Sequence, residues 1–381
     1  MMDNKKIRAL GSGVLVAVWL VLTGFAWFGP KYESSDSERR PLNQLPQLNE
    51  ESWISGSFMT KFEKYSLDQF PLRDTFRQLK SLYHYHVMQY KDNNKIYIHD
   101  GYAVQQEYPV NEDSLKLVQL RFDTVYQRFL KDSGSQIYLA IVPDKNYYLG
   151  EQNGYLSMDY EAFFEKVQTQ MPWATPIQLT DTLEIEDYYY TDTHWRQERL
   201  FEAAQKICDA LGADAPDPEM FCVQALERPF YGVYYGQAAY PMEPDTMYLL
   251  ESDMLSNCTT SLGQWDMKEN KVVYNKLYDG VYDMEKLAGK DMYEMYLSGS
   301  ESLLRIDNPN ATSDRELIVF RDSFGSSIAP LLVGSYKTVT VVDIRYISSG
   351  LLDKFMTFSG QDVLFLYSTI VLNSGGSSLL P

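Results

Sequence analysis

The sequence predicts an α/β protein: a mostly parallel sheet flanked by helices, with an antiparallel β-rich insertion and one N-terminal transmembrane helix. Three observations carry this expectation. Short apolar strands alternate with amphipathic helices on both sides of the chain's middle, the rhythm of a parallel sheet. Between Ala213 and Ser302 the rhythm changes to aromatic runs separated by turn residues, as in Phe230–Tyr235, Met247–Glu251 and Lys271–Tyr278. Ahead of both, Leu10 to Phe28 is an uncharged apolar run of 19 residues.

As a helix, that run measures about 28 Å at roughly 1.5 Å per residue, close to a bilayer core of about 30 Å. Lys5, Lys6 and Arg8 precede it, which favours an inside amino terminus and an outside body. A cleaved signal peptide is the alternative, but its apolar core usually spans roughly 7–15 residues. No Ala-x-Ala site follows here, so residues 1–30 read as an uncleaved, single-pass signal anchor. Residues 31–52, with Ser34-Ser35-Asp36-Ser37-Glu38-Arg39-Arg40-Pro41, read as a polar linker. From Trp53, Phe58, Phe62, Tyr65, Phe70, Phe76, Leu79 and Leu82 recur near a 3.6 period, and Pro71 divides them into helices over 53–68 and 72–90.

Asp100-Gly101 centres a hairpin. Helices over 111–132 and 159–171 bracket a strand over 136–142. A strand over 177–179 follows, and an amphipathic helix over 195–211 stops at Gly212. Beyond the insertion, at about 213–302, come a strand over 316–320, a helix over 326–335 and strands over 338–343 and 362–367. One domain is therefore expected over 53–373, with a flexible Gly/Ser tail over 374–381.

The composition suits a large folded body: 381 residues, 45% hydrophobic. Net charge is −18; residues 1–30 contribute +2, which leaves −20 for the remainder. So acidic a body argues against nucleic acid and anionic lipid as partners. Its 30 tyrosines and 6 tryptophans suit a surface that stacks on sugars, and equally a tyrosine-rich core. Cys208, Cys222 and Cys258 allow one disulfide with a thiol left over. No Cys-x-x-Cys pair occurs, and neither a metal nor a cofactor is expected.

Chemistry concentrates in two blocks. The first is Asp192-Thr193-His194-Trp195, in a chain with only four histidines. In an extended segment residues i and i+2 face the same side, so Asp192 is placed to orient the His194 imidazole and fix its tautomer. The second is Arg321-Asp322-Ser323-Phe324-Gly325, between a buried strand and a helix. That position puts the Ser323 hydroxyl at the carboxyl end of the sheet, beside helix-start N–H groups able to hold an oxyanion. It equally suits an N-cap serine and a turn aspartate. A metal site joining Asp192 and His194 to His84 and His86 is disfavoured, since i,i+2 residues on a helix diverge.

The Thr-Asp-Thr-His-Trp and Phe-Arg-Asp-Ser-Phe-Gly blocks resemble those of the DHHW family, relatives of alginate O-acetyltransferase proteins with a permuted SGNH-hydrolase domain. The similarity extends to Asp68-Gln69-Phe70-Pro71-Leu72-Arg73, Val142-Pro143-Asp144-Lys145, Asp343-Ile344-Arg345-Tyr346 and Leu366-Tyr367-Ser368-Thr369. The resemblance implies Ser323 as nucleophile, His194 as general base and Asp192 as its orienter. It makes Arg345 and Tyr346 candidates for binding substrate or the oxyanion, together with Arg321 and Phe324 beside the serine. Arg321 stands where the usual Gly-Asp-Ser block has glycine. The SGNH glycine and asparagine blocks have no clear counterpart; Gly299 and Asn308 are nearest. The implied activity is O-acetyl transfer to a cell-surface or exported polysaccharide through an acyl-serine, outside the membrane. The acyl donor would be supplied by a membrane-bound O-acyltransferase. An O-acetyl esterase, or a non-catalytic glycan-binding scaffold of an exopolysaccharide machine, remains open.

Overall fold

The computed structural model describes residues 4–381, so the first three residues of the expected anchor lie outside the described residues. The chain divides into two compact units. One comprises residues up to Asn94 with Tyr235–Pro241; the other comprises Lys95–Tyr234 with Met242–Pro381.

The smaller unit begins with a helix, Asn4–Phe28. Its Leu10–Phe28 stretch is long and apolar enough to cross a membrane, and none of it is buried. Helices Ser57–Asp68 and Arg73–Leu82 follow, separated around Pro71 as expected. The polar stretch 31–52 is more than a linker. Ser34–Ser35 pairs with Arg40–Pro41, and the Asp68 carboxylate takes both the Arg40 guanidinium at 2.6 Å and the Asn43 N–H at 2.8 Å. Its polarity keeps it out of an apolar core but suits it to a buried carboxylate at a helix end. His84 and His86 lie in this unit on a π-helical turn, Tyr83–Val87. Their rings meet Tyr90 and Tyr240 respectively.

The larger unit is built on eight strands: β1 Ile137–Val142, β2 Thr175–Gln178, β3 Thr259–Asp266, β4 Lys271–Asp279, β5 Leu303–Asp307, β6 Glu316–Arg321, β7 Thr338–Val342 and β8 Asp362–Ser368. Their order is β4-β3-β5-β7-β6-β8-β1-β2. The five strands β7, β6, β8, β1 and β2 are parallel. Strands β5, β3 and β4 extend the sheet antiparallel. The central strands are covered on both faces, which explains why Ile137–Val142 and Asp362–Ser368 are nearly continuous apolar runs. One face packs on helix Phe201–Leu211 through Ala203, Ala204 and Ile207. The other packs on helices Glu112–Val125 and Tyr160–Gln170 through Leu115, Phe122, Phe163 and Val167.

The expected architecture holds, with local corrections. The β-rich stretch is not a separate layer: β3 and β4 pair into the central sheet, and β5, which periodicity did not reveal, joins them to it. Only Cys222–Ala225 and Tyr248–Glu251 form their own small ladder. The aromatic run 230–235 leads into a helix, Val233–Ala238, whose first N–H is captured by a buried carboxylate, as described below. Helix 195–211 begins only at Phe201, because Trp195 bridges back to Tyr188 and Gln197–Arg199 forms a 3-10 turn. The expected helix 326–335 is a single α-turn, Gly325–Ile328, followed by a 3-10 stretch containing Pro330. The Gly/Ser tail is packed, not loose. The Gly376 N–H donates to Ser114 Oγ at 2.9 Å, an approach open only to glycine, since a Cβ there would sit 2.3 Å from the Ser114 carbonyl oxygen. None of the three cysteines is in a disulfide; Cys208 and Cys258 are core residues and Cys222 is exposed.

Candidate active site

The two chemical blocks meet at the carboxyl end of the parallel strands. β6 ends at Arg321, and Ser323 sits in the turn before Gly325–Ile328, half-buried. From 129 residues earlier in the chain, His194 Nε2 reaches Ser323 Oγ at 2.7 Å. His194 Nδ1 lies 2.5 Å from Asp192 Oδ1. This is the spacing of a nucleophile, base and orienting acid.

Asp192 and His194 do not meet through an extended strand. Tyr188 and Trp195 bridge antiparallel, and residues 190–194 form a bend between them. Asp192 Oδ1 accepts the His194 backbone N–H at 3.1 Å, an Asx-type turn, so backbone and ring are held by the same oxygen. The other oxygen accepts the Val233 N–H at 2.8 Å. Three donors thus serve a carboxylate with no exposed surface, as a buried charge requires. Gly232 makes this possible: a Cβ there would lie 2.3 Å from the Asp192 Cα.

The bend is clamped from both sides. Asp245 Oδ1 takes the Tyr190 N–H and Oδ2 the Thr191 N–H, each at 2.8 Å. Opposite them, the buried Lys145 ammonium donates to the carbonyls of Tyr189 at 2.8 Å and Tyr190 at 3.2 Å. Burial pushes the Lys145 pKa down to about 7, against the opposing pull of Asp245 and Asp192. The neighbouring Asp144 accepts from Tyr160 and Thr369, and burial raises its pKa.

On the serine side, Asp322 is structural. Its Oδ1 takes the Phe324 N–H, and its Oδ2 takes both the N–H and hydroxyl of Ser368 at the end of β8. The helix-start N–H groups expected to hold an oxyanion are therefore engaged: Phe324 to Asp322 Oδ1, Gly325 to the Asp322 carbonyl, and Ser326 to the Ser323 carbonyl. Arg321 offers no face to a substrate. It is wholly buried, donates to the Gly299 carbonyl at 2.8 Å and lies 3.6 Å from Asp343; burial lowers its pKa. Phe324, also buried, packs on His194 and Trp195 at ring-centroid distances of 5.0 and 5.5 Å. Arg345 and Tyr346 follow β7, whose Val342 is in register with Phe320 of β6, so they stand at the same end as Ser323. Arg345 pairs with Asp343 through Nε and Nη2; Tyr346 is half exposed beneath its guanidinium. Gly299 turns its carbonyl to Arg321. Asn308 follows β5 at the opposite end of the sheet, where its amide donates to Val333.

The roles of three residues escaped sequence reading, although Lys145 stands in a motif quoted above. Asp245 and Lys145 act on backbone atoms 44 to 55 residues away, and no local pattern announces that. The third, Tyr293, stacks on the His194 ring with centroids 3.8 Å apart and planes 8° from parallel. It comes from Met292–Met295, a 3-10 turn preceding β5.

Residues 180–342 match the model of the DHHW protein family. That span contains both chemical blocks, and the resemblance read from the sequence holds. Among solved structures, a DHHW family protein from Eubacterium siraeum is 18% identical, matched over 76% of this chain and 95% of that one with a TM-score of 0.60. PatB1 of Bacillus cereus, solved with a sulfonyl adduct, is 17% identical over 75% of this chain and 98% of its own, with a TM-score of 0.56. At such identities the likeness is one of fold. No curated protein matches the chain in sequence.

Proposed function

We propose that this DHHW-related chain is a membrane-anchored, extracytoplasmic serine O-acyltransferase that acetylates a cell-surface or exported polysaccharide. The observation that carries the reading is the unbroken relay Asp192–His194–Ser323, with contacts of 2.5 and 2.7 Å. His194 Nε2 takes the Ser323 proton as Oγ attacks the donor's acyl carbon. The tetrahedral intermediate collapses, and the leaving group departs with the proton from Nε2. An acceptor hydroxyl then gives its proton to Nε2 as its oxygen attacks the acyl-serine, and Ser323 leaves reprotonated. With the helix-start N–H groups engaged, the Ser323 N–H and the Arg345 guanidinium are the candidate oxyanion donors.

The apolar helix Leu10–Phe28 supports the anchor, and the family resemblance supports transfer to a polysaccharide, with a membrane-bound O-acyltransferase supplying the acyl group. Water in place of the acceptor would make the same site an esterase. Sulfonyl reagents cap activated hydroxyls, and PatB1 was solved carrying such an adduct. The test is therefore direct: the full chain in detergent should turn over a chromogenic acetyl ester and acquire one sulfonyl group on Ser323 from a sulfonyl fluoride. Ser323→Ala should abolish both. Full turnover by that variant would exclude the serine mechanism, and a wild type with neither activity would leave only the scaffold reading.

A further inference from the structure

The imidazole of His194 is held by more than Asp192. Its ring lies face to face with that of Tyr293, centroids 3.8 Å apart and 8° from parallel. Tyr293 is itself aimed. Its hydroxyl meets Ser327 Oγ at 2.8 Å, and the same Ser327 oxygen accepts the Trp195 indole N–H at 2.8 Å. Trp195 directly follows His194 in the chain. The contacts thus close a cycle: His194 to Trp195 through the backbone, Trp195 to Ser327 and Ser327 to Tyr293 by hydrogen bonds, and Tyr293 back to His194 by the stack. Every member except Ser327 is a ring, and Tyr293, Trp195 and Ser327 are all buried.

We propose that Tyr293 is a positioning residue for His194, fixing the imidazole plane so that Nε2 points at Ser323 Oγ, with Ser327 and Trp195 aiming the tyrosine. The proposal rests on the reading of His194 as the general base. Two physical effects support it. A parallel face at van der Waals distance blocks rotation of the imidazole about its Cβ–Cγ bond, leaving the edge with Nε2 as the working edge. A π face also favours a cation above it, and His194 becomes one when it takes the Ser323 proton. The stabilisation is therefore greater during the proton transfer than before it, which lowers the barrier without changing ground-state binding.

The assignment is tested with Tyr293→Leu, which removes the ring, and Tyr293→Phe, which keeps the ring and loses only the hydroxyl. On a chromogenic acetyl ester, Tyr293→Leu should lower kcat roughly 10-fold with KM within about twofold, and Tyr293→Phe should recover most of that loss. If Tyr293→Leu does not fold, Ser327→Ala serves instead. It leaves both rings in place but frees the tyrosine, and kcat should fall roughly threefold at constant KM. An activity-independent measurement accompanies these. Proton NMR of the Ser323→Ala chain should place the His194 ring resonances, assigned by His194→Gln, upfield of where the same resonances fall in the Ser323→Ala, Tyr293→Leu double variant. The stacked tyrosine causes this shift. Ring resonances without that shift, an unchanged kcat in Tyr293→Leu, or Tyr293→Phe as impaired as Tyr293→Leu would each overturn the proposal. Turnover retained by Ser323→Ala would instead overturn the serine reading, and the NMR shift would still report on the stack.

Discussion

Replacing Asp192 by asparagine tests the orienting role proposed for it with the least change of shape. The carboxylate receives three N–H groups: His194 Nδ1 and the His194 backbone on Oδ1, and Val233 on Oδ2. An amide has one acceptor oxygen and one NH2. If its oxygen stays toward His194, the NH2 meets the Val233 N–H, donor against donor, at a site with no exposure to water. A buried donor left without an acceptor costs about 1–3 kcal/mol. If the amide flips, Val233 is satisfied but the NH2 faces His194 Nδ1. The imidazole must then carry its proton on Nε2, where it cannot accept the one from Ser323. Both orientations also lose the negative charge that balances the imidazolium. In serine-protease triads the equivalent change costs about 10⁴-fold in kcat. We therefore expect a loss of about 10³- to 10⁴-fold here, or about 4–5.5 kcal/mol of transition-state stabilisation at 1.36 kcal/mol per decade. The assay is acetyl-ester turnover at saturating substrate, with a melting curve to show that the variant is folded. A folded Asp192→Asn chain within tenfold of wild-type kcat would refute the triad.

Two further changes probe the supports. Gly232→Ala drives a Cβ to 2.3 Å from Asp192, so the bend must move; we expect about 1–3 kcal/mol of destabilisation by overpacking and at least a roughly tenfold fall in kcat, and unaltered melting and turnover would show that the bend is not set by this contact. Glu107, in the larger unit, accepts from Gln105 and Asn373; burial first, then the Asp144 charge, pushes its pKa up from 4.5 to about 7. The folded state holds this proton more tightly than the unfolded state, so the stabilisation is full below about pH 4.5 and is lost as pH rises through about 7. Glu107→Gln should flatten that part of the stability profile between pH 5 and 7, as read by chemical denaturation, and an unchanged slope would show that the group titrates normally.

The parallel strands were readable because double burial leaves runs such as Leu317–Phe320 and Val363–Tyr367 without polar interruption. β5 escaped because five residues, Leu-Leu-Arg-Ile-Asp, follow a loop with no periodicity of its own; its strand character comes from pairing with β3 and β7, a tertiary property. The same division holds at the site. Asp192, His194 and Ser323 carry reactive groups and stand in recognisable surroundings. What brings them together is written in backbone contacts: Asp245 and Lys145 grip main-chain atoms, and Gly232 contributes an absence of atoms. Arg321 shows the converse error. A charged residue beside a serine reads as a substrate binder, yet here its guanidinium is sealed beneath the turn. The Tyr367-Ser368-Thr369 string joins the two levels. Ser368 fastens Asp322, the neighbour of Ser323, and Thr369 fastens Asp144, next to the lysine that grips the bend carrying His194. Adjacent hydroxyls at the end of β8 thus hold both halves of the site to one strand, so small changes there should disturb the relay without touching any group that reacts.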